Sequence, residues 1–464
     1  MKKNNLIKNK NELNNELNNI KDIYELDNKN NLIMNTNKKN NFDLININNI
    51  SGEKKDLNIT IDDKKFDNIQ YRINFIMDLL KGKKLDSMVN FDTCDTEAVE
   101  NTSRDYDVRN IMHKKFIDFN KMICEIGGKL LYIKSGTTGH TFKGIGIPDP
   151  NKPDNIINYA VKVVAFPVRE NYGDLNNINR PENAELMMLR VLSYFVVNGQ
   201  TPHIVLPIGT FNTNIKPFID LAKSKIIDNK KYDQFYKKYK QGEYHDEVSI
   251  LISEWANGGD LLDYIRSNYK NMSIREWRVL FFQILSVLAI IHAKYPGFRH
   301  NDLKANNILI QNIDNRKKNN WYHYKINNKD YYVPNIGIQI KIWDFDFACI
   351  PDIVENSKVA ADWTSKINVK PVRNQYYDIH YFFNTFTKKG FFPEFWDSKD
   401  IHYKVKQFVK RIIPDDLIAG DKVTERGRTL LNNEHTTPTK ILLEDSFFDK
   451  MRPEQDRIEK NIND

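Results

Sequence analysis

Asp302, Lys304 and Asn307 follow one another at intervals of two and three residues in the run His300-Asn301-Asp302-Leu303-Lys304-Ala305-Asn306-Asn307-Ile308-Leu309. A carboxylate, a cation two residues on and a carboxamide five residues on, leading into a short apolar strand, are the parts that phosphoryl transfer from a nucleotide requires. The carboxylate meets the acceptor hydroxyl, the cation meets the moving phosphate and the amide oxygen meets a metal. Downstream, Ile338, Ile340 and Ile342 alternate with Gln339 and Lys341, the period of a half-buried strand, and the run ends at Trp343-Asp344-Phe345-Asp346. An Asp at the tip of a strand presents its carboxylate to a hard cation, so Asp344 and Asn307 are candidate metal ligands. Upstream, Gly136 and Gly139 lie in Lys134-Ser135-Gly136-Thr137-Thr138-Gly139-His140-Thr141, between two strand-like runs. Glycines let a backbone approach phosphate oxygens closely and turn its N–H groups toward them.

The elements that must position these residues follow from periodicity. Strand-like runs at 129–133 and 159–164 flank the glycines, and apolar residues from Ala184 to Phe195 recur at helical spacing. More strand-like runs come at 204–206 and 248–253, which makes a sheet with one helix inserted. Trp277, Leu280, Phe281, Ile284, Leu285, Leu288 and Ile291 then mark a long buried helix just ahead of Asp302. Asp260 is suited to cap a helix after Gly258-Gly259, and the remainder reads as mainly helical. An amphipathic helix is expected near Tyr71 to Leu80, and an extension over 1–62, rich in Asn and Lys, is expected to be disordered.

A chain of 464 residues has room for more than one packed unit, and its net charge of +8, from 69 basic and 61 acidic residues, is interspersed rather than blocked. That balance favours contact with phosphate but excludes a dedicated nucleic-acid coat. Three cysteines, Cys94, Cys124 and Cys349, are too far apart for a metal cage or disulfide framework and point to a reducing compartment. No apolar run reaches the ~20 residues that span a bilayer, and the polar start predicts a cytosolic protein.

In chain order these segments resemble a eukaryotic-type protein kinase over about Ile133 to Phe448, with Lys304 marking the serine/threonine type. The resemblance implies an α+β, two-lobed fold: a strand-rich N-lobe with one main helix over 63–257 and a mainly helical, abbreviated C-lobe over 258–464. It implies ATP and Mg²⁺ as cofactors, Asp302 and Lys304 as the catalytic pair, and Asn307 and Asp344 as metal ligands. Tyr159-Ala160-Val161-Lys162 resembles the strand whose lysine grips the α and β phosphates, and Glu185 resembles the helix glutamate that pairs with that lysine, Glu182 being the alternative. Gly136 and Gly139 would cover the nucleotide, backbone groups near Glu254 and Ala256 would meet its adenine, and Asp378 would brace the catalytic loop. Among relatives the chain looks similar to serine/threonine kinases of poxviruses and other large DNA viruses that act in virion assembly. That likeness implies Ser/Thr-bearing protein substrates, viral structural or membrane proteins among them, and a place in the host cytoplasm or packaged in the virion.

Three departures from the family pattern stand out. Asn301 replaces the usual arginine, no Ala-Pro-Glu follows Asp346, and about thirty residues, Gln311 to Gly337, are inserted as an expected solvated excursion ending in a hairpin around Asn327-Asn328. Two rivals remain open. A choline- or aminoglycoside-type small-molecule kinase would bring Asp346 to the metal beside Asp344, and a catalytically inactive scaffold would need none of these residues.

Overall fold

The structure is a computed structural model that describes residues 45–46, 68–89, 91, 107–126, 129–136, 139–146, 157–223, 227–313 and 321–458. The extension expected over 1–62 therefore lies, but for Ile45–Asn46, outside the described residues. The fold is mixed α+β. Contacts divide the chain into two compact units, and the first comprises the described residues that fall within Phe116–Val168 and Asn212–Ile250, besides Ile45–Asn46.

This first unit is built on β-structure. Strands β1 (Lys129–Ser135), β2 (Gly139–Gly146) and β3 (Ile157–Pro167) form an antiparallel meander. With β4 (Pro207–Asn214), β5 (Tyr244–Glu254) and the short strands Ile45–Asn46 and Lys115–Phe116 they make a seven-stranded sheet. Its order is Ile45–Asn46, β1, β2, β3, β5, β4, Lys115–Phe116. Gly144 allows β2 and β3 to approach closely, because a Cβ there would stand 2.1 Å from the Tyr159 ring. The β1–β2 turn is closed by the Gly136 N–H on the Gly139 carbonyl at 2.8 Å. Beneath it Ser135 bridges Tyr132 Oη and His140 Nδ1, each at 2.7 Å, with the His140 ring packed on Tyr232 and Phe235.

The second unit, Thr60–Lys115, Arg169–Phe211 and Leu251–Asp464, is mainly helical. Helix α1 (Ile69–Leu80) is capped by the Asn68 side chain and buries Arg72, Ile73, Ile76 and Leu79 on one face. Helix α2 (Pro181–Val197) starts with proline at its first position, where the missing N–H is no loss. After α3 (Leu261–Asn268), helix α4 (Ile274–Lys294) opens with a Ser273–Glu276 capping box and is buried continuously from Trp277 to His292. Strands β6 (Ile308–Asn312) and β9 (Ile338–Ile342) pair antiparallel into a two-stranded ribbon, and helix α5 (Tyr377–Phe386) is buried along its whole length.

Between β6 and β9 the inserted segment forms the hairpin β7 (Trp321–Ile326) and β8 (Lys329–Pro334), turned at Asn327-Asn328 with both residues at positive φ. The hairpin position agrees with expectation, but the hairpin itself is not solvated on both faces. Tyr324, Ile326, Tyr331 and Val333 are buried, Tyr324 shares a 2.9 Å hydrogen bond with His203, and Phe282 of α4 packs on both tyrosine rings. Alternate aromatic side chains on both strands give the hairpin an apolar face of its own, and burying that face on α4 outweighs solvation of its polar edge.

Candidate active site

The loop that carries Asp302 is fixed at its backbone before its side chains come into play. Arg299 and Cys349 exchange two 3.0 Å backbone hydrogen bonds, and Asp378, at the start of α5, accepts the N–H groups of His300 at 2.7 Å and Asn301 at 2.9 Å. Asn301 can take its φ of 62° because asparagine tolerates the left-handed region. Burial raises the Asp378 carboxyl above its ordinary value, against the opposing charge of Arg299 and the two backbone donors. The expected brace is thus in place.

On this frame Asp302 and Lys304 meet: Lys304 Nζ lies 2.6 Å from Asp302 Oδ2. Asn307 closes the turn, its Nδ2 donating to Asp302 Oδ2 at 3.1 Å and to the Asp302 carbonyl at 3.0 Å. The other carboxylate oxygen, Oδ1, receives Arg428 Nη2 at 2.5 Å. Arg428 was not among the residues singled out from the sequence.

The β6–β9 register sets Ile308 opposite Ile342, so Asn307 and Trp343 face each other at one end of the ribbon, joined by a 3.2 Å backbone hydrogen bond. Asp344 follows at once, half-buried and at φ 66°. With the Asn307 amide nitrogen spent on Asp302, its oxygen is the atom left to offer. One amide oxygen and one carboxylate are the partial donor set that a hard divalent cation completes with phosphate oxygens. These residues therefore fit a nucleotide-bound divalent metal. Asp346 is differently engaged: its carboxylate is paired with Lys358 Nζ at 2.5 Å.

Gly136, Gly139 and Lys162 belong to the first unit. Lys162 is buried on β3, opposite Thr141 of β2. Gly139 stands where a Cβ would come within 2.9 Å of the Val163 carbonyl, a close approach that itself demands glycine. Glu185, Glu254 and Ala256 belong to the second unit. Glu185 is buried on α2, while Glu182, one turn earlier, is paired with Arg180 Nε at 3.2 Å. Gly258 and Gly259 exchange hydrogen bonds with Ile310, and Asp260 caps α3 by accepting the Asp263 N–H at 3.0 Å.

The Glu254 side chain has a use that sequence reading missed. It is enclosed with Arg72 at 2.5 Å and Lys341 at 3.1 Å, and accepts the Leu206 N–H at 2.9 Å. Burial alone would raise its carboxyl, but the two cations and these hydrogen bonds outweigh that and hold it below its ordinary value. Arg299, also missed, is fully buried on the Tyr377 ring and donates to the Asn368 carbonyl at 2.6 Å and the Val372 carbonyl at 3.3 Å.

Residues 221–364 match the protein kinase domain. A protein of Acanthamoeba polyphaga mimivirus named "Putative serine/threonine-protein kinase" is 47% identical over 392 residues, covering 83% of this chain and 80% of its own. A second mimivirus protein with the same designation is 29% identical over 262 residues, 49% of this chain and 64% of its own. A "Probable serine/threonine-protein kinase" of Invertebrate iridescent virus 6 is 36% identical over 86 residues, 17% of this chain and 16% of its own.

Proposed function

The chain belongs to the protein kinase superfamily as a serine/threonine-type member, and from that premise we propose that Asp302 receives the proton of the acceptor hydroxyl as the γ-phosphoryl group of ATP is transferred. The observation that supports this most is the Asp302–Lys304–Asn307 cluster, held on a backbone braced by Asp378. A carboxylate oriented before substrate arrives pays little reorganisation at the moment of reaction. Lys304 offsets charge on the transferring group. In the second unit Asn307 and Asp344 hold the metal, for which we propose Mg²⁺, backbone groups near Glu254 and Ala256 meet the adenine, and Glu185 is a further nucleotide-site residue; in the first unit Lys162 and the Gly136–Gly139 turn bind phosphate oxygens. The metal supplies neutralisation of the phosphate charge as it builds up.

The pairing of Asp346 with Lys358 favours this reading over the small-molecule kinase, which needs Asp346 at the metal. Labelled ATP with a divalent metal and a mixture of proteins, choline and aminoglycosides tests the choice. Label on serine and threonine is the expected result; label on choline or aminoglycoside would overturn the reading, and none at all would favour a scaffold.

We further propose viral structural or membrane proteins as substrates and a role in virion morphogenesis, in the host cytoplasm or packaged in the virion. The similarity to kinases of large DNA viruses supports this. Virions assembled with an Asp302→Asn chain should then lack phosphate on structural proteins, and normal phosphorylation would contradict the proposal.

A further inference from the structure

We propose that Arg428 is a positioning residue for phosphoryl transfer, holding the Asp302 carboxylate in one orientation from the side opposite Lys304. The proposal rests on the reading of Asp302 given above. Arg428 lies 126 residues beyond Asp302 and is nearly buried. Its guanidinium divides its donors between the two ends of the catalytic residue's setting. Nη2 reaches Asp302 Oδ1 at 2.5 Å, and Nη1 reaches the Asn301 carbonyl and Tyr377 Oη. Its face lies 3.9 Å from the centroid of the Tyr381 ring. Tyr377 and Tyr381 are one helical turn apart on α5, the helix whose Asp378 holds the His300 and Asn301 backbone. One helix thus fixes the catalytic loop twice, at the main chain through Asp378 and at the carboxylate through Arg428.

The carboxylate chemistry fits positioning. An ionised carboxylate offers about four lone-pair sites, and Arg428, Lys304 and Asn307 occupy three of them, one on Oδ1 and two on Oδ2. Rotation of the group is blocked while an acceptor position remains for a hydroxyl. Lysine in place of Arg428 would keep the charge but lose the planar fork that bonds three groups at once.

A displaceable brake is the opposite reading of the same contact, and the segment around Arg428 argues against it. Val423 and Thr429 form a β-bridge, Asn368 Nδ2 holds the Thr429 carbonyl at 3.0 Å, Asn384 Nδ2 holds the Gly427 carbonyl at 3.1 Å, and Thr385 Oγ1 holds the Arg426 carbonyl at 3.1 Å. Gly427 turns the chain at φ 88° directly before Arg428. A segment tied at successive carbonyls delivers its arginine as a fixed part of the site.

The test uses the full chain with Arg428→Ala, Arg428→Lys and Asp302→Asn, singly and combined, measuring kcat, KM for ATP and nucleotide binding. Because a misplacement of about 1 Å can cost ~10²-fold in rate, Arg428→Ala should lower kcat by about that factor while KM for ATP stays within about twofold, and Arg428→Lys should recover about tenfold of the loss. A positioning residue acts through its partner, so in the Asp302→Asn background Arg428→Ala should add no further loss. Unchanged or raised kcat in Arg428→Ala overturns the proposal, the rise indicating a brake, and an equal further loss in the Asp302→Asn background overturns it in favour of a merely structural role. If Arg428→Ala fails to fold, Arg428→Lys decides: about tenfold lower kcat at unchanged KM supports positioning, and unchanged kcat refutes it. A parent chain that is no faster than Asp302→Asn would instead contradict the Asp302 reading itself.

Discussion

Replacing Arg72 by methionine should destabilise the second unit out of proportion to the size of the change. The Arg72 guanidinium, on α1, is fully buried. It donates to both Glu254 oxygens, to the Pro202 carbonyl at 2.8 Å and to the Ile204 carbonyl at 2.6 Å. Methionine fills much of the volume and returns none of these bonds. Removing one partner of a buried ion pair costs about 3–5 kcal/mol. Lys341 remains beside Glu254 at 3.1 Å, which keeps the ion-pair term at the low end. The two deserted carbonyls add about 1 kcal/mol or more, for a total of about 4 kcal/mol. At roughly 2 °C per kcal/mol for a unit of this size, Tm should fall by about 8 °C.

The same substitution should alter the response to acid. In the parent, Glu254 titrates below its ordinary value of 4.5, so its stabilising contribution is full above that pH and is lost only as pH falls toward the folded-state value. Without Arg72 the burial that opposes ionisation gains ground and the folded-state value of Glu254 rises, so acidification should cost the mutant less stability than it costs the parent, narrowing the gap between the two chains. Thermal unfolding at neutral pH and at about pH 4 measures both effects. Replacing Arg72, Glu254 and Lys341 together by apolar residues of similar volume should restore most of the loss. An Arg72→Met chain with the parent Tm would refute the reasoning, because it would mean that α1 does not depend on this contact.

Asp344→Ala should abolish metal-dependent transfer while Asp346→Ala leaves metal dependence intact; loss of the metal in Asp346→Ala alone would favour the small-molecule kinase geometry. The chain should be active as synthesised, because Thr364 is fully buried with its hydroxyl 2.6 Å from the Ala361 carbonyl, and Arg299 is engaged by the Asn368 and Val372 carbonyls. Phosphatase treatment should therefore leave activity unchanged, and a large fall restored by rephosphorylation at Ser365 would contradict this. Burial lowers His203 to about 3 and His292 and His380 to about 4. These groups take up protons on unfolding, so stability is full above pH 6.5 and declines below it. At about pH 5.5 each should cost on the order of 1 kcal/mol, the three together ~3–4 kcal/mol, seen as a lower urea midpoint than at about pH 7.5; equal midpoints would show that these rings are not buried neutral.

The proposed catalytic loop was legible because its chemistry is local: Asp302, Lys304 and Asn307 touch across five residues or fewer. Strand periodicity likewise placed Asp344 at a strand tip, and the capping of α3 by Asp260 could be read from residue type alone. Contacts between distant segments could not. Arg428 meets Asp302 across 126 residues and Arg72 meets Glu254 across 182, and neither distance leaves a mark in spacing. Arg72 did carry a signal, since it falls between Ile69 and Ile73 on the stripe that continues through Ile76 and Leu79, where an arginine is out of place unless paired. The inserted hairpin was misread for a similar reason. The expectation was a solvated excursion, while the alternation of Tyr322, Tyr324 and Ile326 with polar residues already described a strand with one buried face.

The most direct measurement is transfer of labelled phosphate from ATP to a protein substrate by the parent chain and by Asp302→Asn, with nucleotide affinity determined in parallel. Asparagine keeps the shape of the side chain and its contact with Asn307 but removes both the proton acceptor and the charge that faces Lys304 and Arg428. General-base and electrostatic contributions are each worth ~10²-fold or more, so the account predicts that turnover collapses by at least ~10²-fold while ATP affinity changes little. Equal turnover in the two chains would contradict it.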